Sequence, residues 1–218
     1  MNQEELIQLV LTEKVIAIAR GIEPEHAVKT AQALYEGGIR IMEFPFDMKN
    51  PDSTKADQCI EAVAKAMAGK MYVGCGTASS VNLVERAAKS GASFIISANV
   101  NVDVIKKTKE LGLISMPGVF TATEAMTAVE AGADFVKIFP AGNVGTGYIK
   151  ALCGPFGHIR YLAVGGVDEK NTSDFLKAGC VGVGIGGNLV NNAWISSGEF
   201  DKITELAKKY VDAAKSIN

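Results

Sequence analysis

Apolar runs and amphipathic segments alternate along most of this chain. Eight short runs are rich in β-branched and aromatic residues, which is typical of buried strands. An amphipathic segment follows most of these runs, and a glycine often closes it. Such alternation predicts βα units and a parallel sheet. The predicted strands lie at 14–19, 39–45, 71–76, 93–98, 113–117, 134–140, 159–164 and 181–186.

Helix start and stop signals support the segments between these runs. Pro24 is suited to a first helical turn, and the pair Thr121 and Glu124 forms a capping-box pattern. Gly132 is placed to end the helix that this box begins. We predict helices at 24–36, 81–90, 122–131 and 169–178, with an additional amphipathic helix over the first 14 residues.

The joints between helix and strand resemble one another. "SGASFII", "AGADFVK" and "AGCVGVG" each place a glycine and small residues between a helix end and a strand. Eight such units in 218 residues predict a compact (β/α)8 TIM barrel, with the N-terminal helix added. An open doubly wound sheet is the alternative. No linker or change of composition divides the chain, so we expect one domain over 1–218.

Composition and charge exclude several classes of protein. Hydrophobic residues make up 48% and charged residues 21% of the chain, and the net charge is −2. These values favour a globular protein and provide no basic footprint for nucleic acid. No apolar stretch is long enough to cross a membrane, and the acidic N-terminus is unlike a signal peptide. We expect a cytoplasmic protein.

Cysteine and histidine give no sign of a metal site. The cysteines at 59, 75, 153 and 180 are widely spaced and have no nearby histidine cluster. His26 falls at a helix start and His158 beside a turn, where a surface role is the better interpretation. The pattern predicts reduced cysteines and no bound metal.

Lys137 interrupts the apolar run "DFVKIFP". Side chains alternate along a strand, so a Lys137 that points into the barrel shares its face with Phe135 and Phe139, while Val136 and Ile138 face the helices. Burial would lower the pKa of this amine and provide the free base that Schiff-base chemistry needs. The alternative is a lysine that extends to the barrel mouth and pairs with an acid.

Glu43 favours the interpretation in which Lys137 is a buried nucleophile. It also lies in an apolar strand, "RIMEFPF", and not on a helix face. A buried ion pair adds little net stability, so stability alone is a poor reason for the pair. An amine and a carboxylate on two inner strand faces suit a nucleophile and a group that moves protons.

Glycines after the last two strands predict a phosphate site. Gly165-Gly166 and Gly186-Gly187-Asn188 occupy the loops that commonly bind phosphate in this fold through backbone N–H groups. Arg20 and Thr77, which follow the first and third strands, are candidates for holding a carboxylate. For Thr77, a turn or helix-capping role is the alternative.

Taken in order, these motifs resemble one family over nearly the whole chain. "IMEFP", "VGCGT", "MPGVFTATEA", "FVKIFPA", "AVGGV" and "GIGGNLV" are similar to the 2-keto-3-deoxy-6-phosphogluconate (KDPG) and 4-hydroxy-2-oxoglutarate (KHG) aldolases. The resemblance implies a class I aldolase without metal or cofactor, usually a homotrimer. Lys137 would be the Schiff-base lysine and Glu43 the proton shuttle. The residues implied to bind substrate are Arg20, Thr77, Pro117, Phe139, Gly165, Gly166, Gly187 and Asn188.

Several positions depart from the gluconate enzymes of this family. Asp47 stands where a substrate-binding arginine is usual, and Val164 replaces a threonine before the Gly-Gly pair. "SAN" at 97–99 replaces "SPG", and Asn188 replaces a serine. "IARGI" and "AVGGV" are closer to the 6-phosphogalactonate branch, in which Arg20 would hold the carboxylate.

The activity implied is reversible cleavage of KDPG to pyruvate and glyceraldehyde 3-phosphate, with KHG as a further possible substrate. The galactonate analogue is the alternative substrate. Two other functions compete: a sugar-phosphate isomerase without an imine, and a non-catalytic barrel that senses a phosphorylated metabolite. The pair Lys137 and Glu43, together with the full order of motifs, favours the aldolase.

Overall fold

Short parallel strands form a nearly closed barrel in the computed structural model, which describes residues 3–217. The strands are β1 (Val15–Ile18), β2 (Ile41–Pro45), β3 (Tyr72–Gly76), β4 (Phe94–Ile96), β5 (Ile114–Met116), β6 (Gly118–Val119), β7 (Val136–Ile138), β8 (Tyr161–Val164) and β9 (Gly182–Ile185). Their order around the sheet is β5-β4-β3-β2-β1-β9-β8-β7-β6.

Helices cover the outside of this barrel. They are α1 (Gln3–Glu13), α2 (Pro24–Glu36), α3 (Lys55–Ala66), α4 (Val81–Lys89), α5 (Val102–Glu110), α6 (Ala122–Glu130), α7 (Ala141–Phe156), α8 (Thr172–Lys177), α9 (Asn192–Ser196) and α10 (Phe200–Lys215). Residues 1 and 2 of the predicted N-terminal helix lie outside the described residues. None of the helices in the described part of the chain is long and apolar enough to span a membrane.

The fifth predicted strand is present as two segments separated by Pro117. β5 pairs with β4 on one side, and β6 pairs with β7 on the other. Pro117 has no N–H to donate to a ladder, but its carbonyl accepts the N–H of Lys137 at 2.8 Å. The chain from β5 to β6 therefore closes the barrel. The predicted (β/α)8 fold is confirmed, and the alternative of an open doubly wound sheet is wrong.

Two apolar clusters lie on opposite faces of the strands. The inner cluster contains one or two residues from each of β1, β2, β4, β5 and β8, together with Phe135 just before β7 and two residues of α1, Leu6 and Val10. The outer cluster lies between strands and helices and includes Val136 and Ile138. The predicted alternation along β7 is confirmed, and α1 covers the amino-terminal end of the barrel.

The predicted helix boundaries hold where a cap defines them. Thr121 and Glu124 form the reciprocal capping box at the start of α6. The predicted start of the helix at 169 is wrong, because α8 begins at Thr172. The Asp168 carboxylate accepts the N–H groups of Lys170 and Asn171, so these residues form a turn before the helix.

Candidate active site

A cavity of about 470 Å³ opens at the carboxyl ends of the strands. Its walls come from β1, β2, β7, β8 and β9 and from loops that include those after β3 and β4. All predicted site residues except Pro117 line it: Arg20, Glu43, Thr77, Lys137, Phe139, Gly165, Gly166, Gly187 and Asn188. The barrel thus brings together side chains that are up to 168 positions apart in the sequence, from Arg20 to Asn188.

Lys137 lies in the middle of β7 and points into the barrel. The residue is only 7% exposed, and its Nζ lies 5.0 Å from the ring centroid of Phe139. Burial lowers the pKa of the amine, and the charge of Arg20 lowers it further, while Glu43 opposes both effects. A larger fraction of free amine at neutral pH follows, which is the form that attacks a carbonyl carbon.

Glu43 lies on β2 and is more deeply buried, with 3% of its surface exposed. Loss of solvation raises the pKa of its carboxyl group to about 7, although the positive charges of Lys137 and Arg20 act in the opposite direction. Its Oε2 has no hydrogen-bond partner among the described residues. A carboxyl group with this pKa can both accept and donate a proton near neutral pH.

Arg20 and Thr77 form the polar rim of the cavity. The Arg20 guanidinium donates a hydrogen bond to Thr77 Oγ1 at 3.3 Å. Thr77 has a φ of 57°, in the left-handed region that a β-branched residue rarely adopts. The rim therefore combines a strained backbone position with an exposed guanidinium, and the guanidinium suits the binding of an anionic group.

The glycine loops after β8 and β9 form a second wall of the cavity. Gly165 and Gly166 both have positive φ values, 86° and 74°. Asn188 Nδ2 donates to the carbonyl of Val167 at 3.1 Å and so ties the two loops together. Within residues 3–217, the N–H groups of Gly166 and Gly187 donate to no protein acceptor. Free N–H groups at such a wall can bind a phosphate group.

Pro117 and Asp47 lie away from this cavity. Pro117 is buried at the break between β5 and β6. Asp47 forms a turn in which its Oδ1 accepts the N–H of Lys49, and it lines a neighbouring cavity of about 470 Å³ on the other side of Arg20. Asp47, where the resemblance to the gluconate enzymes implied an arginine, therefore does not line the Lys137 cavity.

Ala98 and Val164 line the cavity and were noted in the sequence only as departures from the family pattern, whereas three other lining residues had no predicted role: Ile18, Val167 and Gly184. Two of them have a signal in the sequence, because Ile18 and Gly184 are placed by strand alternation on the inner face of β1 and β9. Val167 follows the Gly165-Gly166 turn, and no periodicity applies to a loop position.

The fold and the cavity define a TIM-barrel protein with its functional groups at the carboxyl ends of the strands, as is general for enzymes of this architecture. Comparison with known proteins identifies the family. The family model described as "Aldolase: KDPG and KHG aldolase" matches residues 6–206. The chain belongs to the KDPG and KHG aldolase family.

Curated relatives include enzymes for different sugar acids. The 2-dehydro-3-deoxy-6-phosphogalactonate aldolase of Escherichia coli (strain K12) is 38% identical over 176 residues, which cover 80% of this chain and 83% of the relative. The KHG/KDPG aldolase of the same organism is 33% identical over 193 residues, covering 88% of this chain and 87% of the relative.

Solved structures of aldolases superpose on this chain over nearly its whole length. A structure described as native KDPGal superposes with a TM-score of 0.85 at 34% identity and covers 93% of this chain and 95% of its own. The KDPG aldolase of Legionella pneumophila, with pyruvate captured as a covalent carbinolamine, has a TM-score of 0.84 at 25% identity and covers 93% of this chain and 96% of its own.

Proposed function

We propose that this aldolase cleaves 2-dehydro-3-deoxy-6-phosphogalactonate reversibly to pyruvate and glyceraldehyde 3-phosphate through a Schiff base on Lys137. The observation that carries the proposal is the buried pair of Lys137 and Glu43 in one cavity. Burial lowers the pKa of the amine, which increases the fraction of free amine, and raises that of the carboxyl group to about 7, so this group can exchange a proton near neutral pH.

The amine of Lys137 attacks the C2 ketone, and water leaves to form an iminium. Glu43, as the carboxylate, takes the proton of the C4 hydroxyl while the C3–C4 bond breaks. The bonding electrons pass to the iminium, which becomes an enamine, and the aldehyde departs. Glu43 then returns the proton to C3, and water hydrolyses the new iminium to release pyruvate and the free amine. No metal or cofactor takes part, because the iminium is the electron sink.

The remaining residues bind the two anionic ends of the substrate. The N–H groups of Gly166 and Gly187 and the side chain of Asn188 would receive the phosphate, with Gly165 shaping the loop. Arg20 and Thr77 would receive the carboxylate at the rim that they form. Phe139 covers the amine with its ring, and Pro117 supports Lys137 through the backbone hydrogen bond between β5–β6 and β7.

Galactonate is proposed over gluconate on three grounds. The galactonate relative is 38% identical, and the KHG/KDPG relative is 33% identical. Asp47 lies outside the cavity, where the gluconate motif has arginine, and Val164 lines the cavity, where that motif has threonine. KDPG, the first substrate that the motifs suggested, and KHG are the competitors. The decisive experiment compares kcat/KM for all three substrates, and the proposal is wrong if KDPG or KHG is preferred.

Trapping tests the Schiff base itself. The protein is incubated with pyruvate, reduced with borohydride and digested, and the modified peptide is identified by mass spectrometry. We expect a reduced pyruvate adduct on Lys137. The control is Lys137→Met, which keeps the apolar stem and removes the amine; it should fold, carry no adduct and have no activity. A folded wild-type protein without an adduct would favour the isomerase or the non-catalytic sensor.

A further inference from the structure

Glu43 lies over the carboxyl end of β3, where the inner face of the strand has no side chain. Gly74 and Gly76 are the inward-facing positions at the carboxyl end of β3, and Glu43 is directly opposite Gly74 in the register of β2 and β3. A Cβ atom added at Gly76 would stand 1.5 Å from Oε2 of Glu43, 2.5 Å from Cδ and 3.0 Å from Oε1. The carboxylate thus occupies the space that a side chain at Gly76 would need.

The backbone at Gly76 does not itself require glycine. Gly76 is in an extended strand, outside the set of described residues with positive φ, so alanine fits this conformation. Its carbonyl accepts the N–H of Phe46 at 2.9 Å, which ties the end of β3 to the end of β2. The strand is therefore held in place, and a side chain at Gly76 would have to displace Glu43.

We propose that Gly76 is a positioning residue for Glu43: by having no side chain, it gives the carboxylate a dry seat beside the barrel wall. The inference rests on the proposed function only in assigning proton transfer to Glu43. The seat keeps the carboxylate away from water and leaves Oε2 without a hydrogen-bond partner in the described part of the chain. A displaced carboxylate would enter the open cavity, become hydrated and lose its alignment with the substrate.

Gly74 is the matched control. A Cβ atom added there would meet the ring of Phe94, with contacts of 2.4, 2.4 and 2.6 Å, and none of its nearest neighbours belongs to Glu43. Gly74→Ala and Gly76→Ala thus make the same change on the same face of β3, two positions apart. The first crowds the apolar interior, and the second crowds the carboxylate.

The first experiment measures the seat directly. The side-chain carboxyl carbon of Glu43 is followed by 13C NMR through a pH titration in the wild type and in each alanine variant, with Glu43→Gln used to assign the signal. We expect Gly76→Ala to move the midpoint down toward the ordinary value for glutamate and Gly74→Ala to leave it near that of the wild type. An unchanged midpoint in Gly76→Ala overturns the inference.

The second experiment is a double-mutant cycle with Glu43→Ala. Gly76→Ala should lower kcat roughly 10²-fold, the loss that a misplacement of about 1 Å can cause. In the Glu43→Ala background the same change should cost nothing further, because no carboxylate is left to displace. An equal loss in both backgrounds would show that Gly76 acts on something other than Glu43.

The two experiments also separate this inference from the proposed function. If Glu43→Ala keeps full activity, the proton-shuttle role is wrong, while the titration still decides whether Gly76 seats the carboxylate. If Gly76→Ala fails to fold, the double variant decides: recovery of folding with Glu43→Ala supports the clash, and failure in both backgrounds overturns it.

Discussion

At the scale of single residues, burial determines the chemistry of the candidate site. Lys137 and Glu43 carry opposite charges, yet desolvation is the largest effect on the pKa of both. It lowers the pKa of the amine and raises that of the carboxyl group, so it favours the neutral form of each. This combination is suited to a nucleophile and a proton carrier, and it is a poor source of stability.

The raised pKa of Glu43 predicts a pH-dependent stability. The ordinary value is 4.5 and the folded value is about 7, so between these limits the folded state retains a proton that the unfolded state has released. The free energy of unfolding must therefore fall as the pH rises through this window. Relative to Glu43→Gln, we expect the wild type to lose on the order of 1–3 kcal/mol between pH 5 and pH 8. Urea unfolding at both pH values measures this, and parallel changes in the two proteins would contradict it.

Thr77 predicts opposite effects on stability and activity. Its φ of 57° costs about 1–2 kcal/mol for a residue with a Cβ. Thr77→Gly should raise the free energy of unfolding by about 0.5–1 kcal/mol, since part of the relieved strain is offset by the entropy of glycine in the unfolded chain. It should also raise KM, because the hydroxyl that pairs with Arg20 is lost.

Thr77→Val is the matched control for that change. Valine keeps the branched Cβ and the backbone strain but has no hydroxyl, so KM should rise without a gain in stability. Thermal unfolding and steady-state kinetics of the two variants test both statements. A Thr77→Gly variant that is less stable than Thr77→Val would show that the position is not strained.

At the scale of elements, one arginine fixes the segment between β2 and α3. Arg86 on α4 donates to the carbonyls of Pro51 and Ser53 at 2.6 and 2.7 Å and pairs with Asp57 on α3 at 2.5 Å. Its guanidinium also lies 4.9 Å from the ring centroid of Phe46. Because this segment continues directly from the strand that carries Glu43, Arg86 holds the rim of the barrel beside the candidate site.

We expect Arg86→Lys to destabilise the protein by about 2–3 kcal/mol, because an ammonium group cannot reproduce the planar fork that serves several acceptors. An exposed ion pair serves as the control for this change: Lys55, at the start of α3, pairs with Glu23. Lys55→Met should leave stability nearly unchanged, because both side chains of this pair are exposed and water screens their attraction. Chemical unfolding measures both, and limited proteolysis should cut 46–54 faster in Arg86→Lys alone. Equal effects of the two substitutions would refute this role of Arg86.

At the scale of the whole molecule, the barrel separates stability from function. α1 covers the amino-terminal end with Leu6 and Val10, and the inner apolar cluster fills the space below Lys137. The carboxyl ends of the strands remain open and carry the polar groups. This division allows one end to hold strained and unpaired groups, because the packed end supplies the stability.

The homotrimer that the family resemblance implies stays a prediction, and exposed apolar side chains mark a surface on which it can be tested. Phe120 is 46% exposed and Leu111 is 41% exposed, and the ring of Phe120 stacks on Tyr148 with centroids 6.2 Å apart. Exposed aromatic residues are typical of contacts between subunits. We expect light scattering to give three times the 23.0 kDa mass of one chain, and Phe120→Asp to weaken the assembly. A monomeric wild type would refute the trimer.

The sequence by itself determined where most strands lie, which of their side chains point inward and most of the residues that line the candidate site. Apolar runs with period two identified the inner face, which placed Lys137 and Phe135 correctly, and the capping box defined the start of α6. These features depend on neighbours close in the chain, so local chemistry is sufficient to predict them.

Only the tertiary structure decided which distant groups meet. The predicted fifth strand is interrupted at Pro117 because β5 pairs with β4 while β6 pairs with β7. The turn at Asp168 makes α8 begin at Thr172, although the residues of this turn would also suit a first helical turn. The raised pKa of Glu43 depends on burial by the whole barrel. The carboxylate of Glu43 on β2 fills the space beside Gly76 that a side chain would need. A glycine in a sequence does not reveal which group fills that space.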